Sequence, residues 1–198
     1  IAIDIGMTNI DLVMESPSGQ RFLMLTNPGG EASVQLRYAL DAVESDLIPG
    51  MTIGVTGGRY RDLPEVLDGY QIRKIDEMLA LGLGGLRLAN LNKGLVVSAG
   101  TGVAMVSARK DEYKHVTGSA VGGGTLLGLA RLILSTSDVL EIDQLALNGD
   151  ASAVDIMLTE AVGGKIGRLP ANANAVNLGK LEKPDGFSRE NLAAGLVR

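Results

Sequence analysis

The sequence predicts an α/β protein built from two similar lobes, beginning with a hairpin and a crossover. Three stretches, 1-IAIDIG-6, 10-IDLVMES-16 and 21-RFLMLTN-27, have the apolar pattern of strands and are separated by short turns. Apolar residues then recur at helical spacing from Ala32 to Leu47. The apolar run 51-MTIGVTGG-58 follows, so a strand, a helix and a second strand form a crossover unit.

A repeated sequence pattern indicates a second lobe. The segments 3-IDIGMTN-9 and 97-VSAGTGV-103 each place a small or polar residue, a glycine and a threonine between two strand-like runs. The second segment lies within 94-GLVVSAGTGVAMVSA-108, which predicts another hairpin. Because a repeated pattern suggests a repeated unit, we predict an N-terminal lobe over residues 1–93 and the start of a second lobe over residues 94–198.

Helical periodicity accounts for much of the remaining chain. The segment 75-IDEMLALGLGGLRL-88 has helical spacing and a glycine-rich end, and helices are predicted near 126–136 and 138–148. Asp150 is placed to cap a further helix. The chain stops inside a helical pattern, 187-FSRENLAAGLVR-198, so we expect the second lobe to be C-terminally incomplete.

Composition excludes several classes of function. The net charge is −5 and basic residues are scattered, so we expect no nucleic-acid partner. No run approaches the roughly 18 to 20 apolar residues of a membrane span, and no basic signal peptide is visible, so we expect a cytoplasmic protein without a membrane partner. The chain has no cysteine and one histidine, His115, which excludes thiolate sites and histidine-rich metal clusters.

Glycine is clustered in turns that could bind an anion. The turns 6-GMTN-9 and 100-GTG-102 would present backbone N–H groups beside hydroxyls. A third cluster, Gly122 to Gly124, runs into a helix whose N-terminal N–H groups and dipole favour phosphate. These turns predict a phosphate site, although each one alone could be only a tight hairpin turn.

Two carboxylates stand out beside these turns. Asp4 ends a buried strand, where a carboxylate is costly unless it meets donors or a cation, so we predict magnesium bound there through water. Glu77 lies on the helix that ends in GLGG, and its position alone would favour an exposed carboxylate on the helix surface. Its neighbours Lys74 and Asp76 would equally suit a solvated helix surface.

The order of these motifs resembles the type II pantothenate kinases, the Fumble family. The first turn is shared across the actin, sugar kinase and Hsp70 superfamily, whereas the GGGTLLGL segment and the last block are more specific. The segments that carry the resemblance are, in order, DIGMTN, VTGG, IDEMLALGLGG, SAGTGVAMV, VTGSAVGGGTLLGL and GDASAVDIMLTEAVGGKIGRLPANANAVNLGKL.

The resemblance implies a fold, a reaction and a set of site residues. The fold would be the two-lobed actin-like, sugar-kinase (ribonuclease H-like) ATPase fold, with ATP and Mg²⁺ in the cleft. The reaction would be phosphorylation of pantothenate to 4′-phosphopantothenate, the first step of coenzyme A biosynthesis, by a homodimeric kinase. The implied site residues are Asp4, Gly6, Thr8 and Asn9 in the first phosphate loop, Ser98, Gly100, Thr101 and Gly102 in the second, Gly122, Gly123, Gly124 and Thr125 facing the nucleotide, Glu77 as catalytic base, Asp4 as metal ligand and His115 at the acceptor.

Three positions depart from the family pattern and keep other functions open. Met7 stands where a second glycine is expected, Asp11 where lysine is common, and His115 where an arginine would meet the pantothenate carboxylate. One alternative is an ATP-hydrolysing reactivase or activator of a radical enzyme or dehydratase, although the absence of cysteine argues against its iron–sulfur members. Another is a nucleotide-binding relative without catalysis, which Met7 and Asp11 favour.

Overall fold

The described chain separates into two compact units. The first is Ile1–Gly118 and the second is Ser119–Arg198. The lobe boundary predicted between residues 93 and 94 remains a prediction. The computed structural model describes residues 1–17, 19–110, 112–182 and 186–198.

The first unit contains two sheets and two helices in the part that is described. Its strands are β1 (Ala2–Ile5), β2 (Asn9–Ser16), β3 (Gly19–Thr26), β4 (Thr52–Gly57), β5 (Val66–Leu67), β6 (Tyr70–Lys74), β7 (Lys93–Ala99), β8 (Val103–Arg109) and β9 (Glu112–Ser119), which runs to the unit boundary. Its helices are α1 (Ala32–Asp41) and α2 (Glu77–Ala89), with one-turn 3-10 helices at Glu44–Asp46 and Tyr60–Asp62.

The second unit is mainly helical in its described residues. It contains α3 (Gly123–Leu134), α4 (Val139–Leu147), α5 (Leu158–Val162) and α6 (Arg189–Val197), the short strands β10 (Ile156–Met157) and β11 (Asn174–Val176), and 3-10 turns at Ala151–Ala153 and Gly179–Glu182. Ala130, Leu134, Ile142 and Ala193 form the buried core between α3, α4 and α6.

The larger sheet has the strand order β3-β2-β1-β4-β6-β5. Strands β1, β2 and β3 pair antiparallel, whereas β4 pairs parallel to β1 and β6 pairs parallel to β4. Helix α1 makes the crossover from β3 to β4 and contacts β1. These strand directions and the α1 crossover confirm the predicted hairpin, crossover and α/β fold class in this unit.

Alternation along the strands places the core on one face of this sheet. Every second residue of β1, β2 and β4 is buried, as expected for strands with one covered face. The alternation predicted for these strands therefore sets which side chains reach the other face. The core between α1 and this sheet includes Ile3, Ile5, Ile10, Leu12, Ile53 and Val55 from the strands and Leu36 and Leu40 from α1.

Several element boundaries differ from the predicted ones. Helix α1 ends at Asp41, because Val43 has a φ of −129° and reaches the core from a turn while being only 1% exposed. Strand β6 was not predicted, since Ile72 is the one buried residue between polar neighbours. Helix α3 begins at Gly123 rather than near residue 126, because glycine carries no helical signal of its own.

The glycines of GLGG let α2 lie close to the smaller sheet, β7-β8-β9. A Cβ atom on Gly85 would lie 2.5 Å from Cγ1 of Val96 on β7, and one on Gly82 would lie 3.2 Å from Cβ of Ala108 on β8. Gly84, on the same helix, faces open space. Two of these glycines thus serve helix–sheet packing.

We expect Gly85→Ala to lower the free energy of unfolding by about 1–3 kcal/mol, since the added methyl group must displace Val96. Gly84→Ala is the matched control in the same helix and should be neutral or stabilising by up to about 1 kcal/mol. Urea unfolding measures both. Equal stability of the two variants would show that α2 does not need the close approach.

Candidate active site

Two of the predicted glycine turns meet in the first unit. The hydroxyl oxygens of Thr8 and Thr101 lie 2.9 Å apart although the residues are 93 positions apart in sequence. Thr8 belongs to the turn between β1 and β2, and Thr101 to the turn between β7 and β8. One hydroxyl donates to the other, so the hydrogen of the accepting hydroxyl points elsewhere. The pair therefore joins the two predicted phosphate loops.

The first turn requires glycine at Gly6 and is stabilised by hydrogen bonds from Asn27. A Cβ on Gly6 would lie 2.8 Å from the carbonyl oxygen of Asn9, so only glycine fits there without displacement. Asn27, just after β3, donates from Nδ2 to the Gly6 carbonyl at 2.5 Å and from its backbone N–H to the Thr8 carbonyl at 2.8 Å. Sequence analysis missed Asn27, although Asn-Pro-Gly-Gly is a turn signal.

One backbone N–H group of the second turn forms a hydrogen bond within the turn. The N–H of Gly100 donates to the carbonyl of Gly102 at 2.9 Å, so this N–H is engaged within the turn. Ser98 pairs with Ala104 in the β7–β8 ladder and is half-buried. The hydroxyl of Thr101 is therefore the group of this turn that reaches the first turn.

Asp4 lies between two neighbouring strands that bear polar residues in register. It faces Asp11 across the β1–β2 pair and Thr56 across the β1–β4 pair. Burial raises the pKa of the Asp4 carboxyl, and the negative charges of Glu77 and Asp11 raise it further. Among the described residues, the buried hydroxyl of Thr56 has no protein hydrogen-bond partner. This edge of the sheet is thus acidic and suited to a cation.

A glycine at the end of β4 allows the strand to approach Asp4. Gly57 has a φ of +103°, and a Cβ there would overlap the Ile5 carbonyl and lie 2.7 Å from Oδ1 of Asp4. A side chain at this position would therefore displace the carboxylate as well as strain the backbone. This contact gives a physical role to the VTGG segment, for which the sequence indicated only a strand end.

Glu77 is the first residue of α2, and Asp76 is its N-cap. One oxygen of Asp76, Oδ1, accepts from the N–H groups of Met78 at 3.0 Å and Leu79 at 3.2 Å. The other, Oδ2, accepts from the Tyr60 hydroxyl and from Nη2 of Arg61, both at 3.0 Å.

Both carboxylate oxygens of Asp76 are therefore engaged in hydrogen bonds, and one of them caps α2. Burial by itself would raise the pKa of Asp76, but hydrogen bonds from Leu79, Tyr60 and Met78 and the charge of Arg61 outweigh burial and hold the pKa below its usual range. Aspartate directly before a helical run is an N-cap signal, and this signal could have identified it.

The third glycine cluster and the histidine lie elsewhere in the chain. Gly122 is the N-cap of α3, and Gly123 and Gly124 form its first turn. The Thr125 hydroxyl donates to the Ala120 carbonyl at 3.1 Å. His115 lies exposed on β9. Their predicted contacts with nucleotide and acceptor remain predictions.

Two further features bear on ligands and membranes. Within residues 1–17, 19–110, 112–182 and 186–198, no group of three or more acidic, histidine or cysteine side chains is arranged to hold a metal ion. In the same described ranges, no helix combines the length and apolarity needed to cross a membrane.

Comparison with known proteins identifies the family. The sequence model of the Fumble family matches residues 90–195. The chain belongs to the Fumble family. The resemblance predicted from the sequence is thereby confirmed, and the matched region includes the second turn, His115 and the Gly122–Gly124 cluster, whereas Asp4 and Glu77 lie before it.

Relatives of this Fumble-family chain are named as pantothenate kinases. It is 28% identical to a type II pantothenate kinase of Oceanobacillus iheyensis over 158 residues, covering 77% of this chain and 58% of the relative. It is 36% identical to pantothenate kinase 1 of Oryza sativa subsp. japonica over 115 residues, covering 54% of this chain and 17% of the relative. A solved structure, the ethanolamine utilization protein EutJ of Carboxydothermus hydrogenoformans, matches 68% of this chain and 56% of its own with a TM-score of 0.49 and 16% identity.

The chain spans about half the length of the curated bacterial relatives it matches, 58% for one and 49% for a type II pantothenate kinase of Bacillus cereus. The activity, substrates and partners of a whole Fumble-family enzyme are therefore proposals for this chain.

We expect Asp11→Asn to lower the pKa of Asp4, because it removes one of the two carboxylates that raise it. The pKa should stay above its ordinary value, since burial and Glu77 remain. An acid whose pKa is higher in the folded than in the unfolded chain destabilises the fold when it is ionised. This destabilisation decreases as the pH falls through the folded pKa and is absent below the unfolded pKa. Asp11→Asn should therefore raise the free energy of unfolding at neutral pH but not at acidic pH.

Carbon-13 NMR titration of the aspartate carboxyl groups, together with urea unfolding at each pH, measures both effects. Low salt is required because Asp11 is exposed and its field is screened. Glu15→Gln, at an exposed position farther along β2, is the control. If the pKa of Asp4 were the same in Asp11→Asn as in the wild type, Asp11 would not contribute to the raised pKa of Asp4.

Proposed function

We propose that the protein catalyses ATP-dependent phosphorylation of pantothenate to 4′-phosphopantothenate, the first step of coenzyme A biosynthesis. The observation that carries the proposal is the contact between Thr8 and Thr101, which joins two glycine turns beside Asp4. Membership of the Fumble family and relatives named as pantothenate kinases supply the substrate. A homodimer in the cytoplasm is part of the same proposal.

The phosphates of ATP would bind at the two joined turns. Backbone N–H groups of the first turn and the hydroxyls of Thr8 and Thr101 supply donors suited to phosphate oxygens. Within the second unit, the start of α3 at Gly122–Gly124 also offers donors suited to phosphate, because the first N–H groups of a helix lack partners within it.

Magnesium fits the acidic edge of the sheet at Asp4. Mg²⁺ commonly keeps several waters and binds proteins through one or two carboxylates together with substrate phosphates. The partly buried Asp4 carboxylate and the Thr56 hydroxyl, which has no protein hydrogen-bond partner among the described residues, agree with that coordination. Bound there through Asp4, the cation would neutralise charge on the phosphates.

Glu77 is the proposed general base. Glu77 is half-buried at the start of α2, and its negative charge raises the pKa of Asp4. There it would accept the proton of the acceptor hydroxyl as the oxygen attacks the terminal phosphorus and the bond from that phosphorus to the bridging oxygen breaks, which releases ADP. Because little covalent chemistry is required of the protein in phosphoryl transfer, positioning by the turns and by α2 would supply much of the catalysis.

We expect Glu77→Gln to lower kcat by about 10² to 10⁴, since glutamine keeps the size of the side chain but cannot accept the proton. ATP affinity, measured by calorimetry, should barely change. Phosphoryl transfer is measured by coupled ADP release with and without pantothenate.

Glu65→Gln is the control for this experiment, because Glu65 is an exposed carboxylate in the same unit. Asp76→Asn cannot serve as the control, since Asp76 caps the helix that carries Glu77. If Glu77→Gln turned over at nearly the wild-type rate, another group would be the base.

A second candidate function is nucleotide binding without phosphoryl transfer. It is favoured by Asp11, which stands in register with Asp4, and by Met7, which is 82% exposed within the first turn. ATP binding without ADP release across pantothenate and similar small hydroxy acids would support this second function over the first.

His115 is the proposed contact for the pantothenate carboxylate. An imidazole group lacks the permanent charge and the paired donors of a guanidinium group. We therefore expect His115→Arg to lower the Michaelis constant for pantothenate while leaving that for ATP unchanged, in steady-state assays at pH 7.5. An unchanged constant for pantothenate would remove His115 from the acceptor site.

A further inference from the structure

The segment of residues 59–62, between β4 and β5, has no part in the proposed chemistry but contacts both sides of the candidate site. It contains the 3-10 turn Tyr60–Asp62. Its side chains hydrogen-bond to the start of α2 and to the loop that follows β3. We call residues 59–62 the positioning segment.

The contact with α2 is made through one oxygen of Asp76. Oδ1 of Asp76 caps the helix, which leaves Oδ2 to bind the Tyr60 hydroxyl and Arg61, each at 3.0 Å. Tyr60 is 7% exposed, so the core holds its ring in place. The Arg61 guanidinium lies 4.7 Å from the centre of that ring, a cation–π contact. Since Arg61 is largely exposed and Tyr60 is buried, the tyrosine is the firmer anchor.

The contact with the first turn runs through the loop after β3. Nη1 of Arg59 donates to the Gly30 carbonyl at 3.3 Å. One residue earlier in that loop, the N–H of Gly29 donates to Oδ1 of Asn27 at 2.8 Å. Asn27 in turn holds the carbonyls of Gly6 and Thr8. A continuous set of hydrogen bonds and short chain segments therefore connects the first turn with the helix start.

We propose that the positioning segment fixes the Glu77 carboxylate relative to the first glycine turn, with Tyr60 as the main positioning residue. The inference rests on the proposed function, because Glu77 is there the general base. Glu77 is one peptide unit from Asp76, so a shift of Asp76 moves it directly. A misplacement of about 1 Å in an active site can cost about 10²-fold in rate.

Tyr60→Phe tests the proposal, because it keeps the buried ring and removes the hydroxyl that holds Asp76. We expect kcat to fall about 10-fold, with the dissociation constant for ATP and the circular dichroism spectrum unchanged. Arg61→Gln should have a smaller effect, about 3-fold, and Arg61→Lys should restore part of it. Arg37→Gln is the matched control, since Arg37 on α1 forms an exposed ion pair with Asp68.

A double-mutant cycle tests whether Tyr60 acts through Glu77. In a Glu77→Gln background, Tyr60→Phe should cause no further fall in kcat, because the group being positioned is already lost. A further 10-fold fall in the double variant, an unchanged kcat in Tyr60→Phe, or an equal loss of ATP affinity would each overturn this inference while leaving the proposed function standing. Full activity of Glu77→Gln would overturn the role of Glu77 and this inference together.

Discussion

The close packing of β1 against β4 beside Asp4 is the constraint on which the candidate site depends. In register with Thr56 and directly against Gly57, the Asp4 carboxylate is held at the strand end where the first glycine turn begins. The same packing buries it enough to raise its pKa. Alternation along β1 connects this site to the fold, because the neighbours Ile3 and Ile5 fill the core beneath α1 while Asp4 faces away from it.

Glycine has three different structural roles in this chain. At Gly6 and Gly57 it allows backbone and side-chain oxygens to approach where a Cβ would overlap them. At Gly85 it allows a helix to lie against Val96 of a sheet. At Gly122–Gly124 it opens a helix without a capping side chain. Composition alone cannot separate these uses, since they depend on what the chain brings to each glycine from distant positions.

Local patterns predicted the elements better than they predicted the contacts. The hairpins, the crossover and the helix carrying Glu77 follow from apolar periodicity and turn residues, which act over a few positions. Strand β9 could not be found this way, because all of its residues are exposed. Asn27 and Tyr60 were missed for another reason, since their hydrogen bonds reach residues 21 and 16 positions away.

The carboxylates around Asp4 and the neutral donors of the glycine turns would have different roles in the proposed site. A phosphate group arriving alone would meet the like charges of Asp4, Asp11 and Glu77, whose repulsion is only partly screened where Asp4 is buried. The donors of the joined turns are neutral N–H and hydroxyl groups, which orient a phosphate but do not cancel its charge. In the proposed site, the carboxylates would therefore favour a phosphate that arrives with its cation, and the turns would bind that complex. Asp11 adds a further negative charge beside Asp4.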